Sequence, residues 1–230
     1  MTSEVPLKIG ALIYDGIDQI DLTGPFEVLS RIPKSKYQLY AKSTKAVKDV
    51  GGLSLIPDAE LHHAPLLDIL HIPGGHGQEA LMEDEEVLAW IRKQAKSAKL
   101  VLSVCTGALL CGAAGLLKGR RATTHWSALH LLKYFGATAS SERVLIDDKM
   151  IFAAGVTAGI DGALTLVSEL CGKETAELIQ LNIAYAPAPP FNAGTPESAP
   201  PTVLREALAM TRELTLKREI TAKRVGLKLT

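Results

Sequence analysis

Short apolar runs alternate with segments of helical spacing along most of this sequence, and this alternation restricts the fold more than any other feature. The apolar runs of strand length cover residues 7–14, 37–41, 53–56, 66–72, 100–104, 122–124, 144–147 and 150–154. Helical spacing is found at residues 25–32, 84–95, 106–117, 157–171 and 174–185. Strands separated by helices need crossover connections, which give a parallel sheet covered on both faces. The pattern therefore predicts an α/β sandwich with a mostly parallel central sheet.

The composition stays even along the chain, and we expect one domain over residues 1–230. The segment APAPPFNAGTPESAPP, residues 186–201, is too rich in proline for a helix or a central strand. A disordered linker is one interpretation, but Phe191 and Asn192 favour an ordered loop lying over a surface. A C-terminal helix is predicted at residues 202–225. Its basic residues are expected to form a solvated face, with nucleic-acid contact as a minor alternative: Lys217, Arg218, Lys223, Arg224 and Lys228.

The charge balance and the apolar runs exclude several classes of protein. The 25 Lys and Arg residues equal the 25 Asp and Glu residues, so the sequence has no basic surface of the kind that nucleic acid requires. An uncharged small substrate suits this balance. No run approaches the roughly 20 apolar residues of a membrane span, and the N-terminal residues resemble a first strand more than a signal peptide. The 3 cysteines predict neither a disulfide framework nor a metal site, and we expect a cytoplasmic protein.

The stretch SVCTGALL, residues 103–110, places Cys105 between a predicted strand and a helix of small residues. A side chain at such a sharp turn projects from the carboxyl edge of the sheet, where ligands bind in open α/β folds. Unpaired N–H groups at the start of the helix favour a thiolate. This arrangement is that of a nucleophile elbow. The alternative is a small buried residue, as we expect for Cys111 and Cys171, and the stretch alone leaves both interpretations open.

A nucleophilic cysteine needs a proton donor or acceptor and a place for developing charge. In HIPGGHG, residues 71–77, glycines at a strand end expose N–H groups that can form an anion-binding pocket together with the N–H of Thr106. In IDLTGPFEV, residues 20–28, the candidate acids are Asp21 and Glu27. The alternatives are a helix cap for Asp21 and a solvated helix residue for Glu27.

These motifs together resemble the ThiJ/PfpI superfamily, which is related to the class I glutamine amidotransferases. Within that superfamily, YAPAPPFNAGTP (residues 185–196) and GVTAGIDGALTL (residues 155–166) are most similar to the branch of isonitrile hydratases. The resemblance covers nearly the whole chain. It implies a flavodoxin-like three-layer sandwich, a homodimer and no cofactor.

The resemblance also assigns roles to individual residues. It implies that Cys105 is the nucleophile, that Asp21 is the acid facing it, and that Gly75 and Thr106 are backbone donors, with Thr106 itself part of the catalytic group. Further pocket residues are expected at Gly74, His125, Trp126, Val156 and Tyr185, with Tyr185 and the loop after it closing the pocket.

Thr106 occupies the position at which protease-like members of the superfamily have histidine, and the loss of an adjacent base argues against peptide hydrolysis. The expected reaction converts an isonitrile and water into an N-substituted formamide through a Cys105 thioimidate. Asp21 would alternate between acid and base and share one proton with Cys105 at neutral pH. Open alternatives are an enzyme of the glyoxalase or deglycase type acting on reactive carbonyls, and a redox-sensing or chaperone-like protein. A DNA-binding regulator is disfavoured because only one helix is predicted after the sandwich.

Overall fold

A computed structural model of the chain describes residues 6–229. The strands are β1 (Leu7–Leu12), β2 (Ser35–Ala41), β3 (Val47–Lys48), β4 (Ser54–Leu55), β5 (Ala59–Glu60), β6 (Ile69–Ile72), β7 (Leu100–Val104), β8 (Arg121–Ala122), β9 (Thr138–Ala139), β10 (Val144–Asp147) and β11 (Met150–Ala153). The α-helices are α1 (Gln19–Leu29), α2 (Gln78–Leu81), α3 (Glu85–Ser97), α4 (Gly107–Ala113), α5 (Ala158–Cys171), α6 (Lys173–Asn182) and α7 (Pro201–Gly226). Leu61–His63 and Trp126–Phe135 are 3-10 helices.

A central sheet with the strand order β10-β11-β7-β6-β1-β2-β5 organises the described residues. Its strands pair in parallel, except that β10 is antiparallel to β11. Every residue of β6 is buried, which is expected for a parallel strand covered on both faces. The predicted mostly parallel, flavodoxin-like sandwich is therefore confirmed. β3 pairs with β4, and β8 with β9, in separate two-stranded ribbons.

Two apolar layers cover the sheet. One contains buried residues of α3, α4, α7 and the longer 3-10 helix, among them Leu110, Leu132 and Val225. The other contains buried residues of α1, α5 and α6, such as Leu29 and Leu166. α7 thus belongs to the fold, although it begins more than 40 residues after the last strand of the sheet.

Several element boundaries differ from the sequence-based predictions for local reasons. α1 begins at Gln19, not at residue 25, because the Asp18 side chain accepts from the Ile20 N–H at 3.2 Å and caps the helix. Pro25 is accommodated within that helix. α6 ends before Tyr185, where Ala184 has a left-handed φ of 51°. The 3-10 helix Trp126–Phe135 has no counterpart in the predictions.

The proline-rich segment is irregular, and α7 follows it directly. Residues 194–197 of this segment lie over a cavity of about 230 Å³ that Trp126 also lines, whereas the side chain of Phe191 is exposed. In the described part of the chain, no helix is both long and apolar enough to cross a membrane.

Candidate active site

Cys105 occupies a sharp turn between β7 and α4. Its φ of 54° lies in the left-handed region, which a residue other than glycine adopts only when its surroundings hold it there. Two hydrogen bonds hold this turn: the Cys105 N–H donates to the Ala153 carbonyl at 2.9 Å, and the Thr124 hydroxyl donates to the Cys105 carbonyl at 2.7 Å. A Cβ on Gly107 would lie 2.1 Å from the Ile72 carbonyl oxygen, so β6 passes the turn closely. The backbone has the geometry of a nucleophile elbow.

Asp21 projects from the first turn of α1 and is completely buried beside the elbow. Its Oδ2 accepts from the Gly74 N–H at 2.9 Å. Its Oδ1 has no conventional hydrogen-bond partner among residues 6–229, and the Cys105 thiol is close enough to act on the carboxylate as a weak donor. Burial, followed by the charge of Asp18, raises the pKa of Asp21 to about 8. Asp21 is therefore mostly a neutral carboxylic acid at pH 7. Because Asp18 caps α1, Asp21 is not the helix cap.

Opposing effects act on the Cys105 thiol. Burial and the nearby Asp21 carboxylate raise the pKa of Cys105, while the Thr106 N–H and the charge of Arg218 lower it. The net direction is upward, so burial outweighs the predicted effect of the helix start. The Asp21 carboxylate raises the pKa of Cys105, whereas the hydrogen bond from the Cys105 thiol lowers the pKa of Asp21. The two groups are therefore coupled, and the sharing of one proton at neutral pH stays a prediction.

The turn after β6 brings two glycines against the pair. A Cβ on Gly74 would lie 2.6 Å from the Thr106 nitrogen and 2.9 Å from Asp21 Oδ2, so only glycine fits there. Gly75 has a φ of 136°, which also requires glycine. The Gly75 N–H donates to Thr106 Oγ1 at 3.1 Å. The predicted donor is thus engaged within the protein, and its stabilisation of charge on a substrate stays a prediction.

A cavity of about 330 Å³ reaches Cys105, and α7 forms one of its walls. His125 and Val156 line it, as predicted. His125 Nδ1 lies 2.8 Å from Ser127 Oγ, and burial together with the charge of Arg218 lowers the pKa of His125 to about 4. The full lining is Asp18, Gly75, His76, Cys105, Thr106, His125, Ser127, Val156, Met210, Thr211, Glu213, Leu214, Lys217 and Arg218. A small molecule that enters this cavity meets the buried thiol of Cys105 and the neutral imidazole of His125. Asp21 contacts the Cys105 thiol but does not itself line the cavity.

The family model of DJ-1/PfpI proteins matches residues 7–169, which is more than half of the chain. The chain belongs to the DJ-1/PfpI family. The resemblance to ThiJ/PfpI proteins that the motifs suggested is thereby confirmed.

Two relatives and one solved structure show how similar this chain is to individual proteins. An isonitrile hydratase of Pseudomonas putida is 47% identical over 216 residues, covering 94% of this chain and 95% of that enzyme. A crystal structure of a ThiJ/PfpI family protein from Pseudomonas syringae is 40% identical, with a TM-score of 0.92 over 94% of this chain and 90% of that one. The transcriptional regulator GbdR of Pseudomonas aeruginosa is 30% identical over 188 residues, and the match covers 78% of this chain and 51% of the regulator.

Three residues expected in the pocket of this DJ-1/PfpI protein do not line it. Gly74 lies beside the pocket, where its N–H donates to Asp21. Trp126 lines the cavity below residues 194–197 and does not line the cavity of Cys105. Tyr185 is likewise outside that cavity, and its hydroxyl donates to Asp161 Oδ1 at 3.0 Å. Both residues belong to motifs that predicted a place near the site. The direction in which a side chain points, however, depends on the helix or loop that carries it. Of the further candidates, Glu27 is an exposed residue of α1 that pairs with Arg31, just after the end of that helix.

Arg218 is the site residue that sequence reasoning missed. We expected a solvated basic face, and Arg224 does lie at the surface, but Arg218 is only 5% exposed and lines the cavity. The prediction for Arg218 was wrong. The sequence contained a signal for the burial of Arg218. Arg218 lies four residues from both Leu214 and Ala222, and therefore shares the inward face of α7 with them.

A separate group of possible metal ligands lies on the surface of the protein. Within residues 6–229, the His, Cys, Asp and Glu side chains whose ligand atoms all approach within 4.8 Å of one another are Glu60, His62 and His63. This group includes neither Cys105 nor Asp21, and both of its histidines are exposed.

Proposed function

We propose that this protein is an isonitrile hydratase, which adds water to R–N≡C and gives R–NH–CHO. The near full-length match to the isonitrile hydratase of Pseudomonas putida carries this proposal. The site supports it, because the buried thiol of Cys105 lines a cavity of small-molecule size and is in contact with the buried carboxylic acid of Asp21. The substrate would be small and uncharged.

In the first step, the Cys105 thiolate forms a bond to the terminal carbon of the isonitrile. The same carbon receives a proton from Asp21, and the product is the thioimidate R–N=CH–S–Cys105. A carboxyl group with a pKa of about 8 is suited to this step, since it carries its proton at neutral pH and loses it readily to a basic carbon. The Thr106 N–H favours the sulfur as an anion.

In the second step, Asp21 is a carboxylate and removes a proton from water. The resulting hydroxide adds to the thioimidate carbon, and Asp21 returns the proton to the nitrogen. The tetrahedral species R–NH–CH(OH)–S–Cys105 then collapses: Asp21 accepts the hydroxyl proton, the C–S bond breaks, and the N-formamide and the Cys105 thiolate are released, with Asp21 again protonated. Two additions to one carbon replace a single difficult hydration, which is the benefit of a covalent intermediate.

Loss of the isonitrile infrared stretch, measured with para-nitrophenyl isonitrile, tests the proposal. We expect Cys105→Ala to be inactive and Asp21→Asn to lose activity by about 10²–10⁴-fold, the usual contribution of a general acid or base. Cys171→Ser is the matched control, because Cys171 is half-buried on α5 and outside the cavity, and it should retain wild-type activity.

Methylglyoxal, assayed in parallel, separates this function from an activity on reactive carbonyls. Turnover of methylglyoxal at a higher kcat/KM than any isonitrile would replace the proposal with the carbonyl reaction. Isonitrile hydration that survives in Cys105→Ala would refute the assignment of the nucleophile.

A further inference from the structure

The guanidinium of Arg218 connects α7 to the loops that form the reaction centre. Its Nη2 donates to the Gly75 carbonyl at 2.6 Å and lies 3.4 Å from Thr106 Oγ1, while Nε donates to Gln78 Oε1 at 3.1 Å. Two segments that are distant from α7 in the sequence are thereby joined to it: the turn that leads from β6 into α2, and the residue after Cys105. The Gly75–Thr106 contact is itself a hydrogen bond of 3.1 Å, so the guanidinium completes a small closed network.

The charge of Arg218 has no carboxylate partner of its own. Its hydrogen bonds go to a carbonyl, a hydroxyl and an amide, and within residues 6–229 no Asp or Glu forms an ion pair with it. The nearby Glu79 is hydrogen-bonded to Thr221. A buried cation without a counter-ion is costly. The acids that act on Arg218 at longer range are Cys105, Tyr14, Glu79 and Asp21, with Cys105 first among them. A thiolate at Cys105, when it forms, would therefore supply a nearby negative charge.

We infer that Arg218 is a positioning residue of the reaction centre, whose guanidinium fixes the Gly75 carbonyl and the Thr106 hydroxyl and whose buried charge favours the Cys105 thiolate. This inference rests on the proposed role of Cys105 as nucleophile, but not on the choice of substrate. It assigns α7 a direct part in the chemistry in addition to its role as a wall of the cavity.

Other ionisable groups also face Cys105 and influence the ionisation of its thiol. The effect of the Arg218 charge must be distinguished from theirs. Asp21 and Asp18 oppose a thiolate, whereas Arg218 supports it. Tyr14 is buried beside the pair, and its hydroxyl donates to the Pro73 carbonyl. The remaining ionisable residues of the cavity wall are His76, His125, Glu213 and Lys217. Because these groups are unchanged in an Arg218 variant, a shift between variants reports on Arg218 alone.

The experiment measures the rate at which iodoacetamide alkylates Cys105 as a function of pH, with the modified peptide identified by mass spectrometry. Arg218→Met removes the charge and keeps an apolar side chain of similar length, a replacement that buried ions often tolerate. We expect its thiolate titration to move upward by about one pH unit, which corresponds to roughly ten-fold slower alkylation below the titration midpoint. Arg218→Lys keeps the charge and should recover at least half of that shift. Arg218→Gln takes the place of the methionine variant if the latter does not fold.

Arg224→Met is the matched control, because Arg224 lies on the same helix but pairs with Glu83 at the surface. It should titrate like the wild type. An unchanged titration in a folded neutral variant would overturn the inference, and so would equal shifts in the methionine and lysine variants, since the charge would then be irrelevant. Alkylation needs no substrate, so these outcomes stand even if no isonitrile is turned over.

Discussion

Asp21 shows how burial changes the chemistry of one residue. In water an aspartate is ionised at neutral pH, but here its surroundings raise its pKa from 3.8 to about 8. The backbone of the same residue is also affected, because Pro25 has no N–H to donate to the Asp21 carbonyl in the helix. The imidazole of the completely buried His71 lies against that carbonyl. Pro25 and His71, which do not themselves react, thus form part of the surroundings of Asp21.

Asp21→Asn should stabilise the protein at neutral pH while it removes activity. A carboxyl group whose pKa is raised on folding contributes its full stability below pH 3.8 and loses it as pH rises towards 8, on the order of 1.4 kcal/mol per pH unit. The asparagine variant has no such loss, and its amide oxygen can still accept from the Gly74 N–H. Urea unfolding at pH 4, 5, 6, 7 and 8 should show a gap that widens with pH.

Asp147→Asn provides the control of opposite sign. The Arg121 N–H and the Arg120 guanidinium hold the pKa of Asp147 below its usual range, so removal of this carboxylate should destabilise the protein at neutral pH. A gap between Asp21→Asn and the wild type that stays constant from pH 4 to pH 8 would contradict the raised pKa of Asp21.

At the scale of elements, three connections build the site: the turn from β6 to α2, the elbow from β7 to α4, and the start of α1. They meet because β1, β6 and β7 are adjacent and parallel, which places their carboxyl ends at one edge of the sheet. The contact between the first two connections leaves no room for a side chain at Gly74.

Gly74→Ala should therefore damage activity and stability together. The new Cβ would meet the Thr106 backbone nitrogen at 2.6 Å, and a backbone atom cannot move aside without displacing the elbow. We expect a loss of about 1–3 kcal/mol of stability, typical of overpacking, and a lower kcat/KM with isonitrile. Gly194→Ala, where a Cβ meets nothing within 4 Å, is the control. Wild-type kinetics in Gly74→Ala would show that the two connections are not in close contact.

At the scale of the whole molecule, α7 exposes part of its apolar surface. Several of its apolar side chains are at least half exposed: Leu208, Met210, Leu216 and Ile220. Exposed apolar residues concentrated on one element are typical of an interface. They favour the homodimer that the family resemblance implies, with this helix between the two copies.

Light scattering coupled to gel filtration should therefore give a mass near twice the 24.6 kDa of one chain. Leu208→Glu should shift the protein towards the monomer, since a charge buried at an interface is costly. Ile56→Glu introduces the same charge at an exposed apolar residue outside α7 and should leave the mass unchanged. A wild-type mass of one chain at every concentration would contradict the homodimer.

Local patterns were sufficient to predict much of this protein. The alternation of strands and helices, the elbow at Cys105 and the need for glycine after β6 depend on residues close together in the sequence, and the structure contains all three. The helical segment at residues 174–185 was predicted closely at its start, but α6 already ends at Asn182, ahead of the left-handed Ala184. Asp21 was proposed from its place after the first strand, and it does lie beside Cys105.

The order of the elements and the candidate pair could be predicted from the sequence, because spacing and turn residues act over a few positions. The rest of the site depends on contacts between residues that are distant along the chain. The tertiary structure placed Arg218 against Thr106, 112 residues away along the chain, and left Trp126 and Tyr185 outside the cavity. It also set the pKa of Asp21, since burial is the sum of all neighbours in space, and most of these neighbours are distant in the sequence.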